Sequence, residues 1–419
     1  MVDKDKFIAQ IQRFYKNHKS FILLESQMND HSSSNDTFIA IGIEASLTTW
    51  GTEIRRFKDG IETVSINNPW TALREFRTEY KEWCFGILGY DLKNYVEKLS
   101  SNNKRILETP DMVFIVPEIL IKVGKKNNIE WLKGDRPLDL PNTTMERGID
   151  LTLESQTLKS RYLEKINLAQ KYIKEGDFYE INLSHPMEYK FEGEAWDLYQ
   201  KMKALGPVPF GSYIRINDIE ICSASPERFL SKKGKKIYSQ PIKGTISRSE
   251  INDKDSIEAL LNSEKERAEN LMIVDLVRND LSRVSEEGSV KVSNLFEIQS
   301  FETVHQMVST IESEAHGGIH SVDIIKACFP MGSMTGAPKV AAMKAIEELE
   351  DYSRGIYSGA IGYFTPYDDF DFSVVIRTAI VENDQVIYPV GGAITSDSDP
   401  ELEWEETLVK AQAITRLIN

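Results

Sequence analysis

The sequence predicts an α+β fold, on three observations. Helical patterns alternate with short runs rich in β-branched and aromatic residues; the two follow each other without a strict βαβ rhythm; and no internal repeat or low-complexity tract interrupts them. At 419 residues the chain can bury a substantial core, as one large domain or as two to three smaller ones.

In chain order, the first expected element is an amphipathic helix with Phe7, Ile8, Ile11, Phe14 and Tyr15 on one face. Strands then alternate with loops such as Asn29 to Asp36, built from Asp, Asn, Ser and His alone. A polar stretch from Gly134 to Arg147 precedes a long helical pattern, which sets a segment boundary near residue 150 and divides 1–150 from 151–419. Helical patterns follow at about 156–175, 255–279, 320–328, 338–350 and 400–418, with β-rich runs at Gly211 to Ile216, Ile219 to Ala224 and Ser373 to Val381. Pro338 is expected to open one helix with Val340, Met343, Ile346 and Leu349 as its buried stripe. Asp399 can cap the final helix and Pro400 can open it, which puts Glu403, Glu406 and Lys410 on adjacent turns of one face.

A net charge of −15 and a sequence pI near 5.1 argue against nucleic acid or an anionic membrane as a partner. The cysteines, Cys84, Cys222 and Cys328, are odd in number and lack metal-ligand spacing, which fits core positions in a reducing compartment. The mixed-charge start, Met1-Val2-Asp3-Lys4-Asp5-Lys6, is not a secretory signal, and the longest apolar run, Val113 to Ile121, is broken by Pro117 and Glu118. A cytoplasmic enzyme is the expectation.

Several groups could carry chemistry. Lys243 stands in the turn Pro241-Ile242-Lys243-Gly244-Thr245, where a lysine becomes a nucleophile only if its surroundings supply the neutral amine; in isolation the pentapeptide reads first as a surface turn, and the motifs around it change that. Glu266 and Glu269 lie three apart on a helical pattern, as do Glu403 and Glu406, so each pair shares a face that could hold a divalent metal or simply be solvated. The segment Gly332 to Lys339 lacks the Gly-Lys-Ser/Thr ending of a phosphate-binding loop, and reads instead as a loop whose free amides can meet an anion. Arg377, in a β-like run, could grip a carboxylate or form a structural ion pair. Asp275, Arg278, Asn279 and Asp280 read as a structural hydrogen-bonding corner.

These motifs occur together, and in order, with Gly176-Asp177-Phe178-Tyr179-Glu180, Ser225-Pro226-Glu227-Arg228-Phe229, Asp275-Leu276-Val277-Arg278-Asn279-Asp280, Tyr357-Ser358-Gly359-Ala360 and Asp397-Ser398-Asp399-Pro400. Over its last 260 or so residues the chain thereby resembles the chorismate-utilising enzymes, the family of anthranilate synthase component I, aminodeoxychorismate synthase component I, isochorismate synthase and salicylate synthase. The resemblance implies two packed antiparallel β-sheets flanked by helices, with an active site in a cleft and both sequence segments in one body.

The resemblance also implies roles. Glu227 matches the general acid that protonates the departing ring hydroxyl. Glu266, Glu269, Glu403 and Glu406 match the Mg²⁺ ligands, with Glu269 and Glu406 expected to bind directly and Glu266 and Glu403 through water. Gly244, Thr245, Thr335, Tyr357, Arg377, Gly391, Gly392 and Lys410 fall where family members contact substrate. Lys243 replaces the alanine of anthranilate synthases and resembles the covalent nucleophile of the aminodeoxychorismate-forming members, which aminate chorismate on the way to 4-aminobenzoate and folate.

Three departures bear on the reaction. Glu180 stands where water-adding members have lysine and amine-forming members usually have glutamine, which disfavours water-adding chemistry. Gln306 stands where anthranilate synthases have a histidine tied to pyruvate elimination, and the neighbouring His305 would point to the opposite face of an alternating strand. Ala393 replaces the third glycine of a Gly-Gly-Gly turn. Because the chain carries no Cys-His amidotransferase signature, the resemblance implies ammonia from a separate glutamine amidotransferase subunit, as a heterodimer. Anthranilate synthase component I is the alternative within the family. A catalytically silent chorismate-binding subunit is the alternative outside it, and the retention of Lys243, Glu227 and both glutamate pairs argues against that reading.

Overall fold

The structure, a computed structural model, describes residues 3–28, 33, 36–142, 148–248, 252–301 and 304–418. Most of the predicted loop 29–36 and the end of the stretch 134–147 lie outside the described residues. The helices are α1 (Lys4–Phe14), α2 (Pro69–Glu79), α3 (Lys159–Glu175), α4 (Ala195–Leu205), α5 (Asp253–Asn262), α6 (Glu264–Ser282), α7 (Ser321–Cys328), α8 (Lys339–Leu349), α9 (Pro400–Lys410) and α10 (Gln412–Thr415). None of them is long and apolar enough to cross a membrane.

Two large antiparallel sheets carry the fold. One has ten strands, in the order 150–156, 187–192, 385–387, 378–382, 219–225, 210–216, 20–25, 37–41, 119–123 and 129–133. The other has twelve and runs from strand 242–247, beside strand 304–314, to the edge strand 61–66. Ile22, Phe38, Ile214 and Ile221 of the first sheet meet Phe85, Ile87, Val113 and Ile361 of the second in one buried layer. This matches the expected pair of packed sheets. The outer faces are covered by helices, α1 and α4 on the ten-stranded sheet and α2, α6 and α7 on the twelve-stranded one. A third, three-stranded sheet, 336–337, 180–185 and 390–394, packs against α3, α8 and α9.

Several expected elements differ in detail. The stretch 255–279 is two helices, parted at Ser263, whose hydroxyl accepts from Glu266 N and so caps α6. The run Ser373 to Val381 is two strands, Phe370–Val374 in the twelve-stranded sheet and Thr378–Glu382 in the ten-stranded one; the chain crosses between sheets at Val375 to Arg377. Pro338 is the N-cap of α8 rather than its first residue, and Val340 is exposed while Ala342, Met343, Ala345, Ile346 and Leu349 are buried. Val340 falls on the side of the helix opposite the buried positions, because a strict three-residue step drifts around a helix of about 3.6 residues per turn. In α1, Phe7, Ile8 and Ile11 are buried and Phe14, at the helix end, is exposed. Cys84, Cys222 and Cys328 are buried free thiols.

Candidate active site

A cavity of about 730 Å³ opens where the strands 242–247, 304–314 and 390–394 meet α6 and α9. Its wall includes Lys243, Gly244, Thr245, Glu227, Tyr357, Arg377, Gly391 and Lys410, together with Glu266, Glu269, Glu403 and Glu406. Residues as far apart in the chain as Asn182 and Lys410, 228 positions, thus share one wall.

Lys243 reaches the cavity through a break in strand pairing. Ile242 pairs with Val308 and Thr245 with Gln306, so the register shifts across Lys243 and Gly244. Gly244 has φ +89°, and a Cβ there would lie 2.9 Å from Glu266 Oε2, so conformation and space both call for glycine. The Lys243 ammonium donates to Glu180 Oε1 at 2.5 Å, and both side chains are buried. Burial alone would lower the lysine pKa, but the Glu180 and Glu269 charges and the Glu180 hydrogen bond outweigh it, and the net shift is upward. Among the described residues the second oxygen of Glu180 has no hydrogen-bond partner.

Glu227 is buried and accepts from the Ser333 hydroxyl at 2.6 Å. Burial pushes its pKa up to about 7, against the opposing pull of Ser333, Lys243, the Ile242 amide and Arg377. A carboxyl poised there can be protonated or ionised near neutral pH, which is what acid catalysis requires.

The two acidic helix faces converge on the cavity. Asp399 accepts from Glu401 N and Leu402 N, capping α9, and the stacking of His185 on Trp404, 5.1 Å between centroids, holds the helix against strand 180–185. Burial pushes Glu269 up to about 7, and among the described residues Glu269 Oε1 has no hydrogen-bond partner. Burial, then Glu406, raises Glu266, whereas Lys410, 2.6 Å away, lowers Glu406. Among the described residues no three His, Cys, Asp or Glu side chains are drawn close enough to grip a metal. Lys265 lies between them, 3.0 Å from Glu403 and 3.9 Å from Glu269. The donors are all carboxylates, one with a buried oxygen that accepts no hydrogen bond among the described residues, and their charge is already met by a lysine ammonium; in kind they fit a hard divalent cation.

The remaining predicted positions divide. Arg377 has φ +50°, rare for a residue with a side chain, and its guanidinium makes no hydrogen bond or ion pair among the described residues while opening onto the cavity. Its place is the crossing between sheets rather than a strand. Lys410 donates to Gly391 O at 2.9 Å. A Cβ on Gly392 would come 3.4 Å from Glu403 Oε2 and 3.9 Å from Glu406 Oε1. Thr335 is not on the cavity wall; it is wholly buried, and its hydroxyl donates to Met331 O and Gly332 O.

Alternation in strand 304–314 puts Gln306 on the wall, its amide donating to Thr245 Oγ1 at 3.3 Å, whereas His305 turns away to Asp253 and Ser300. Sequence reasoning overlooked Asn182 and Ser333. Asn182 is on the wall with a buried Nδ2 that has no hydrogen-bond partner among the described residues, and no spacing signal marks it. Ser333 was in plain view inside the Gly332 to Lys339 segment, but its partner Glu227 is 106 positions away.

The sequence profile of the chorismate binding enzymes matches residues 19–416. Aminodeoxychorismate synthase component 1 of Escherichia coli is 34% identical, over 94% of this chain and 92% of that one. Anthranilate synthase component 1 of Aquifex aeolicus is 33% identical, over 80% and 73%. The crystal structure of anthranilate synthase component I from Streptococcus pneumoniae superposes with a TM-score of 0.81 at 27% identity, over 92% of this chain and 93% of that one. The chain belongs to the chorismate binding enzyme family.

Proposed function

We propose that this enzyme is component I of an aminodeoxychorismate synthase, aminating chorismate to 4-amino-4-deoxychorismate for 4-aminobenzoate and folate synthesis. The observation that carries the reading is Lys243, a buried amine on the wall of a cavity that also presents Glu227 and the unpartnered Arg377. Likeness to the E. coli synthase component along nearly the whole chain supports it.

Arg377 and Lys410 bring cationic groups to a dianionic substrate, and the Lys243 amine, once neutral, attacks the ring carbon next to the carboxyl-bearing carbon. As that C–N bond forms, both conjugated ring double bonds shift by one position and the C–O bond to the ring hydroxyl breaks. Glu227 gives its proton to the departing oxygen, which leaves as water. Ammonia then attacks the carbon vacated by the hydroxyl; both double bonds shift back, the lysine leaves as its neutral amine, and the enolpyruvyl ether stays intact. Glu266, Glu269, Glu403 and Glu406 would hold Mg²⁺, which when bound would polarise the ring carboxylate. Neutral ammonia is scarce at pH 7, so a glutamine amidotransferase subunit is the expected source, in the cytoplasm.

Anthranilate formation is the second reading, favoured by the structural likeness to anthranilate synthase and opposed by Gln306, an amide that cannot exchange a proton where that chemistry uses histidine. Mass spectrometry of the products from chorismate, Mg²⁺ and excess ammonium salt at mildly alkaline pH separates the two. An amine retaining the pyruvyl group is expected; anthranilate with free pyruvate would overturn the proposal.

A further inference from the structure

The turn Gly332–Met334 is held from three sides. Gly332 lies so close to α6 that a Cβ there would be 2.7 Å from Leu276 Cδ2. Arg354, paired with Glu350 at 2.6 Å, donates to Met334 O at 2.7 Å. Thr335 closes the turn with its amide on Gly332 O, at 3.1 Å, and its hydroxyl on Met331 O, also at 3.1 Å. The backbone of Glu227 is fixed as well, its carbonyl accepting from Val374 N at 3.0 Å and its amide donating to Ser225 Oγ at 3.3 Å. Between these two anchored backbones runs the 2.6 Å contact from Ser333 Oγ to Glu227 Oε1, with both residues buried on the cavity wall.

We infer that Ser333 is a positioning residue for the reaction: its hydroxyl fixes the Glu227 carboxyl and stabilises the carboxylate that forms as Glu227 gives its proton to the leaving hydroxyl. This rests on the reading of Glu227 as the acid. The proton moves from the carboxyl to the ring oxygen, the C–O bond breaks and water departs. Ser333 keeps its own proton, donating a hydrogen bond that strengthens as charge develops on Glu227. A donor already aimed at the place where charge appears needs no reorganisation at that moment. The other groups acting on the carboxyl, the Ile242 amide, Lys243 and Arg377, either belong to the backbone or are cations with other roles in the cavity; Ser333 is the neutral side chain among them. The same bond opposes the burial that pushes Glu227 up to about 7, and so keeps it a competent donor near neutral pH.

The test follows the protonated-carboxyl C=O infrared band of Glu227, identified by its loss in Glu227→Gln, as a function of pH, together with kcat and KM. In Ser333→Ala the band should titrate about one pH unit higher than in the wild type, and kcat should fall about tenfold with little change in KM, because a donor to the carboxylate is gone. Ser333→Cys, close in shape but a poor donor, should move the midpoint the same way; Ser333→Thr, which restores the hydroxyl, should return it. An unmoved midpoint in both Ala and Cys variants, with Glu227→Gln inactive, overturns the role of Ser333 and leaves Glu227 as the acid. Wild-type turnover by Glu227→Gln overturns the acid itself and this inference with it.

Discussion

Lys243 and Glu180 form a buried ion pair, 2.5 Å from ammonium to carboxylate, with the second carboxylate oxygen left without a hydrogen-bond partner among the described residues. The pair explains how a lysine is tolerated in this place and why it rests in the charged form. It also sets what the proposed mechanism must undo, since only a neutral amine attacks.

Replacing Glu180 by glutamine removes the negative charge that raises Lys243. The lysine pKa should therefore fall, and the fraction of neutral amine at a given pH should rise about tenfold for each unit of that fall. The pH dependence of Lys243 acylation by a small reagent, read by peptide mass spectrometry, should shift to lower pH in Glu180→Gln. A curve superimposable on wild type would show that the ion pair does not govern this amine.

On the proposed function, Arg377 trades stability for binding. Among the described residues its charge, at the cavity wall, has no ion-pair partner, and burial lowers its pKa. Arg377→Met should raise the chorismate KM by about tenfold or more, as expected for losing a charge-assisted pair of about 1.5–3 kcal/mol. Thermal unfolding of the same variant should occur at a temperature equal to or above that of wild type, because an uncompensated charge has gone. A large loss of stability would mean that the guanidinium has a structural partner.

Much of this arrangement is legible in the sequence. Regular apolar spacing marks α3 and α8, and the Asp-Pro pair marks the start of α9, since those signals are local. What escapes is set by contacts between distant residues. Strand 20–25 pairs with strand 210–216, and nothing in either names the other. Arg377 reads as a strand residue because its neighbours are β-formers, yet the chain changes sheets there. Lys243, Glu227 and the glutamates announce themselves by motif, whereas the Ser333 contact with Glu227 and the unpartnered amide of Asn182 exist only after folding.

Lys265 occupies the electrostatic place of a cation between Glu403 and Glu269. Lys265→Met should tighten Mg²⁺ binding several-fold, measured by calorimetric titration, by removing a competing charge. Weaker binding in the variant would mean that the lysine instead holds the carboxylates in position.

Gln306→His would place a titratable ring on the cavity wall beside Thr245. Release of pyruvate, followed by a coupled dehydrogenase assay, should appear in this variant above the wild-type level. No pyruvate from a folded, active Gln306→His protein would show that this position does not select between products.

The most direct measurement is the intact mass of the protein quenched in denaturant after mixing with chorismate and Mg²⁺ without ammonia. The account predicts an adduct of chorismate less one water, mapped to the peptide containing Lys243 and absent from Lys243→Ala, which should also lose aminodeoxychorismate formation by at least about a hundredfold. Lys243→Ala making that product at the wild-type rate would contradict covalent catalysis by this lysine.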